Sequence, residues 1–161
     1  MPVSKLMINR NQWPQFSEDL DVITAIKLLR IVTEDRKLEH GHSTPLVVDS
    51  NFDLLGFVHL TDLLKSAKHV WESTEKTGVG SPRTLKELVV PFAGTVKPED
   101  NIIDALNIMM EHTVSMVPVK KNGRLEGMVK LSDVFNEVAA LLFDETDPNV
   151  RHQMLRDYHA Y

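Results

Sequence analysis

Apolar side chains between Pro98 and Glu111 recur at helical spacing, with Ile102, Ile103, Leu106, Met109 and Met110 on one stripe and Pro98 and Asp100 near its start. That pattern predicts a helix. A short β-branched run from Val114 to Val119 follows, and Asn122-Gly123 separates it from a second apolar run, Leu125 to Leu131. Two strands joined by a tight turn are expected, because Asn-Gly accepts the positive φ angles of a two-residue hairpin. A further helix is expected from Ser132 or Asp133. With Gly94 to Val96 as a first short strand, the order becomes strand, helix, strand, strand, helix.

The same pattern occurs earlier in the chain. Pro45 to Leu64, PLVVDSNFDLLGFVHLTDLL, superposes without a gap on Met116 to Phe135, MVPVKKNGRLEGMVKLSDVF. Gly56 and Gly127 are 71 residues apart (127 − 56), and this spacing aligns Val48 with Val119, Leu54 with Leu125, Val58 with Val129 and Asp62 with Asp133. Upstream the spacing is 80, from Ile23 to Ile103 and Ala25 to Ala105, so the first copy carries nine extra residues (80 − 71) within Ile31 to His42. A repeat of this period points to a duplicated unit. Half of a 161-residue chain is too short for a comfortable core of its own, so the copies are expected to share one.

Between the copies, Trp71 to Arg83 loses the apolar period and reads as a linker, after which Thr84 to Val90 restarts as a short helix. Residues 3–72 then form the first repeat, 73–83 the linker, 84–143 the second repeat and 144–161 a C-terminal extension. Asp147 is placed to cap a last helix over Pro148 to Tyr158.

Composition narrows the function. The chain has 42% hydrophobic and 25% charged residues, a globular balance, and its net charge of −5 comes with no lysine- or arginine-rich run. That argues against nucleic acid and against a basic membrane-surface helix. No apolar stretch reaches membrane-spanning length, and the N-terminus lacks the apolar region of a signal peptide, so a cytoplasmic location is expected. The absence of cysteine excludes thiolate catalysis, thiolate metal sites and disulfides. His40-Gly41-His42 matches no strong metal-ligand spacing, and no nucleophile elbow, glycine-rich phosphate loop or Ser/His/Asp constellation is present. Neither an enzyme nor a metal protein is expected.

The run Val114-Ser115-Met116-Val117-Pro118-Val119, a turn, then Gly127-Met128-Val129-Lys130-Leu131-Ser132-Asp133 resembles a cystathionine-β-synthase (CBS) domain. Two in tandem resemble a CBS pair, or Bateman module, and the likeness extends from about Val3 to Phe143. The resemblance implies an α+β fold of two β-α-β-β-α repeats packed sheet to sheet with pseudo-twofold symmetry and two clefts between them. It also implies a regulatory, stand-alone, non-catalytic module with no obligatory cofactor. Such a module binds an adenine nucleotide (AMP, ADP or ATP, with S-adenosylmethionine as a secondary candidate), homodimerises, and signals to a protein partner.

Site residues follow by position. Asp62 and Asp133 match the family aspartate that accepts hydrogen bonds from the ribose hydroxyls. The family's phosphate-contacting Thr or Ser is replaced by His59 and Lys130; lysine still offers a point charge. The resemblance sets Gly94, Thr95, Val114 and Ser115 opposite His59 and Asp62, and Pro14, Gln15, Ser43 and Thr44 opposite Lys130 and Asp133. The Lys130–Asp133 cleft is favoured.

A second reading stays open for Thr61-Asp62 and Ser132-Asp133. Each pair opens a helix, where hydroxyl and carboxylate groups are favoured by capping and by the helix dipole without any ligand. The two roles are compatible, since a helix N-terminus also favours an anion. The alternative for the whole chain is a ligand-free interaction module. Loss of both phosphate-contacting hydroxyls supports that alternative, as does Phe52 in place of the hairpin glycine.

Overall fold

The computed structural model describes residues 1–34, 44–72, 83–142, 147–156 and 158. The chain opens with a 3-10 turn over Val3–Lys5 and continues through β1 (Ile8–Asn9), β2 (Gln15–Ser17) and α1 (Val22–Glu34). The first hairpin, β3 (Leu46–Val48) and β4 (Leu54–Phe57), leads into α2 (Leu60–Glu72). After two 3-10 turns in the first copy (Val3–Lys5 and Arg10–Gln12), a third over Leu85–Glu87 precedes α3 (Ile102–His112), β5 (Met116–Lys121), β6 (Arg124–Lys130) and α4 (Leu131–Leu142). A separate helix, α5 (Pro148–Arg156), comes last. The fold is α+β, with two sheets of order β2-β3-β4 and β1-β6-β5.

Local chemistry explains most of the boundaries. Asn101 caps α3 by accepting from the Ile103 amide at 3.1 Å, while Asp104 accepts from the Asn101 amide at 3.0 Å, a reciprocal capping box. The helix therefore starts after Asn101 rather than at Pro98, which belongs to the preceding turn. Asp147 Oδ1 accepts from the Asn149 amide at 2.9 Å, as the cap position of α5 requires, but α5 ends at Arg156. Helix α2 takes in Trp71 and Glu72, where the apolar period is lost; residues 73–82 lie outside the described residues, as does most of the insertion after Glu34. Thr84 to Val90 forms only a 3-10 turn.

The gapless superposition of the two copies holds from β4 and β6 onward but fails before the turn. Val47 pairs with Gly56 and Val119 pairs with Gly127, so the first strands align at 72 rather than 71 (119 − 47). One extra residue sits in the first hairpin, and eight precede β3 (80 − 72). The turns differ for a physical reason. Asn122 and Gly123 take φ of 52° and 77°, a tight two-residue turn. In the first copy Asp49 Oδ1 accepts from the amides of Asn51 (2.8 Å) and Asp53 (3.0 Å), which leaves Phe52 at φ 63°. An aspartate side chain organises the longer turn and does the work of the missing glycine.

Packing is exchanged between the copies. Val3 donates its amide to the Asp100 carbonyl at 2.7 Å, Ser4 to that of Pro98 at 2.9 Å, and β1 pairs antiparallel with β6. In mirror fashion Leu85 donates to Leu20 at 3.0 Å, Lys86 to Glu18 at 2.9 Å, and Val90 bridges Phe57. The turns at Val3–Lys5 and Leu85–Glu87 thus each pack in the core of the other copy. Val3 joins Val96, Ala105, Met109, Val119, Val129 and Val134, while Leu85 joins Phe16, Ala25, Leu29, Val47, Val58 and Leu63. These are the same positions twice. A third cluster lies between the sheets: Trp13, Leu46, Leu125 and Met128, flanked by Leu54, Phe57, Phe92 and Met116. It fastens the sheets face to face about the pseudo-twofold axis.

Candidate functional site

The sheet-to-sheet contact leaves a cavity of about 180 Å³ where the first copy meets the second, lined by Thr44, Phe57, His59, Leu60, Phe92, Thr113, Val114, Ser115 and Met116. Strand β4 ends at Phe57, and only Val58 and His59 separate it from α2, which places His59 at the mouth of that helix. The opposite wall is the connection from α3 to β5. Thr113, the C-cap of α3, adopts the left-handed conformation (φ 53°, ψ 50°) and turns the chain so that Val114 and Ser115 face His59. Ser115 also accepts the Leu131 amide at 2.8 Å, so this wall is tied to the start of α4.

Aromatic groups shape the cavity. Phe57 meets His59 edge-on, with ring centroids 4.9 Å apart at 83°, and lies 4.9 Å from Phe92 at 38°. Phe92 reaches this position because Val90 crosses over to pair with Phe57.

The residues expected from the sequence fall into three groups. His59, Thr44, Val114 and Ser115 line the cavity together. Thr44 was expected opposite Lys130 but joins His59, because β3 aligns with β5 one residue further along, which makes Thr44 the counterpart of Met116 near the axis. Asp62 and Thr61 sit in the first turn of α2, and Gly94 packs against Ile108 with Thr95 exposed beside it; none of these four lines the cavity. On the other side, Lys130 is half-buried at the end of β6 opposite Met116, with Ser132 and Asp133 in the first turn of α4. Pro14 is buried and accepts the Leu46 amide at 2.8 Å, while Gln15 is held by Arg10 through bonds of 2.7 and 2.8 Å. Ser43, like His40 and His42, lies outside the described residues.

Among the described residues, neither Asp62 nor Asp133 accepts a side-chain hydrogen bond, and Lys130 has no ion-pair partner. Any capping contribution of the two aspartates therefore comes through the helix dipole rather than a hydrogen bond. Phe57, Leu60, Phe92, Thr113 and Met116 escaped the sequence reading. A usable signal existed for Phe92: Val3-Ser4-Lys5-Leu6-Met7 matches Leu85-Lys86-Glu87-Leu88-Val89 at a spacing of 82 (85 − 3), which marks the crossing segment that delivers it.

Comparison with known proteins fits this geometry. The CBS domain family model matches residues 8–69 and again 85–140. The chain belongs to the CBS-domain family. Among curated relatives, the CBS pair is 31% identical over 130 residues to a protein named hemolysin C homolog from Rickettsia massiliae (strain Mtu5), covering 78% of this chain and 40% of that one. It thus spans less than half the length of that relative. Among solved structures, it resembles CBSX2 in complex with AMP (TM-score 0.63, 22% identity, 88% of this chain and 98% of that one). It also resembles the CBS domain of the bacterial CNNM/CorC family Mg2+ transporter (TM-score 0.66, 23% identity, 89% and 78%). At these identities the likeness establishes the shared fold. CBS domains are in general regulatory modules. Among the described residues no helix is long and apolar enough to cross a membrane, and no group of three or more His, Cys, Asp and Glu side chains is placed to hold a metal ion.

Proposed function

We propose that this CBS pair is a regulatory module that binds an adenine nucleotide of the AMP, ADP or ATP class between its repeats and passes the bound state to a partner protein. The observation that carries this is the inter-repeat cavity, in which His59 of one copy faces Val114 and Ser115 of the other. A ligand there touches both copies, and it can bias a partner through its different affinity for two arrangements of them. The AMP complex of the similarly folded CBSX2 supports the choice of ligand class. Lys130 and Asp133, with Ser132, are assigned to the second cleft, Lys130 toward phosphate and Asp133 toward ribose; His59, Thr61 and Asp62 take the matching places in the first.

Isothermal titration of protein freed of co-purified ligand, against AMP, ADP, ATP and S-adenosylmethionine, tests the reading. Heat with at least one of them, reduced in Asp133→Ala or Lys130→Ala with the fold intact, supports it. Absence of heat with all four rejects it in favour of a ligand-free interaction module.

We also propose that the module homodimerises through its helices. Leu60 and Leu64 on α2, and Leu131 and Phe135 on α4, occupy equivalent positions and are all exposed, Phe135 at 67%. Paired apolar stripes of this kind mark interaction surfaces. Light scattering of the wild type and Phe135→Glu checks it, with a dimer expected to become a monomer.

A further inference from the structure

We propose that the His59 cavity accepts an adenine nucleoside bearing at most one phosphate and discriminates against di- and triphosphates, a specificity that rests on the adenine reading above. Size is the first argument. At about 180 Å³ the cavity falls short of the roughly 300–1,000 Å³ of pockets that enclose a drug-sized ligand, yet exceeds the roughly 150 Å³ cavity that holds benzene. That volume suffices for one ring system, with its substituents directed toward the mouth. The edge-on Phe57–His59 contact and the tilted Phe57–Phe92 pair supply apolar ring surface for such a group.

Charge is the second argument. Among the described residues the lining contains no Lys, Arg, Asp or Glu, so none of them sets a fixed positive charge against a polyphosphate. Asp62, in the first turn of α2, adds a negative charge just beyond His59, and the chain as a whole carries −5. The amide groups at the start of α2 favour an anion, but a helix terminus is equivalent to only about half an elementary charge. The equivalent of His59 in the second copy is Lys130, 71 residues on (130 − 59), a permanent cation. The two sides of the molecule therefore differ in the charge they offer a phosphate chain, and a triphosphate is directed toward Lys130.

Titrations of adenosine, AMP and ATP into the wild type, Ser115→Trp, His59→Ala and His59→Lys test this. Ser115→Trp fills the cavity from an exposed position, and thermal melting verifies that each variant is folded. The expected result is adenosine and AMP binding that is lost in Ser115→Trp and weakened in His59→Ala, with ATP binding indifferent to both substitutions. His59→Lys should gain at least about tenfold in ATP affinity, because a charge a few ångströms from a phosphate is worth more than the 1.4 kcal/mol of a tenfold change. ATP that binds the wild type more tightly than adenosine, and is lost in Ser115→Trp, overturns the specificity while leaving the nucleotide reading intact. No heat from any ligand in the wild type rejects both.

Discussion

Gly127 lies directly under Ile8: a Cβ on the glycine would overlap the Ile8 carbonyl oxygen and come within 3.0 Å of the carbonyl carbon. Gly56 stands in the same relation to the carbonyl of Val90. The two glycines that reveal the duplication in the sequence are thus the places where each copy receives the crossing segment of the other. Substituting either by alanine should destabilise the protein by roughly 3 kcal/mol or more, since backbone rather than a movable side chain must give way. Gly123→Ala is the control. Its surroundings are open and only its φ of 77° is strained, so a loss of about 1 kcal/mol is expected. Urea denaturation of the three variants ranks them.

Asn101 should be worth about 1 kcal/mol to the module. Its side-chain oxygen satisfies an orphan amide of α3 while its own amide donates to Asp104, so Asn101→Ala leaves the helix start unsatisfied. The same measurement reports it. Asp104→Ala breaks the other half of the box and should behave similarly, with a combined loss smaller than the sum of the two.

Acid stability has an identifiable contributor in Asp21. Its carboxylate accepts from the Thr24 hydroxyl at 2.6 Å and from the Thr24 amide at 2.9 Å, and these bonds hold its pKa below the usual aspartate value. The unfolded chain therefore takes up the proton first as pH falls. The stabilisation is complete above the ordinary value of about 3.9 and is lost as pH drops through the lowered folded value. Asp21→Asn should accordingly flatten the fall in melting temperature between about pH 5 and pH 3, and leave a smaller difference at neutral pH than Asp21→Ala.

Much of the architecture was legible because it is written in local patterns. The stripe from Ile102 to Met110 and the Asn122-Gly123 turn each specify an element from adjacent residues, and both appear where the spacing puts them. The exchange between copies was not legible from such patterns. Val3–Lys5 and Leu85–Glu87 are single 3-10 turns too short for a periodic signal, and their partners lie far away in sequence. The candidate site suffered for the same reason. Phe92 reaches the cavity through the crossing segment, and Thr113 takes a left-handed C-cap conformation that glycine or asparagine would have advertised. His59, Val114 and Ser115 could be named in advance because they sit within the repeated strands and their immediate flanks.

Exchange of the two turns makes each copy depend on a residue carried by the other. Val3 and Leu85 are both fully buried, Val3 among second-copy residues and Leu85 among first-copy residues. Leu85→Ala should destabilise by about 2–5 kcal/mol, and Val3→Ala by somewhat less because fewer methylene groups are lost. Amide hydrogen exchange locates the damage. If packing follows space rather than sequence, Val3→Ala lowers protection first in β5 and β6, more than a hundred residues away (116 − 3), and Leu85→Ala lowers it first in β3 and β4. Loss of protection confined to the mutated segment's own neighbours in sequence would contradict the exchange. Equal loss throughout would mean that the sheet-to-sheet cluster of Trp13, Leu46, Leu125 and Met128 couples both copies into one cooperative unit. That outcome bears on signalling, because a ligand at His59 would then tighten the whole module, whereas separable copies would let the cleft respond on one side at a time.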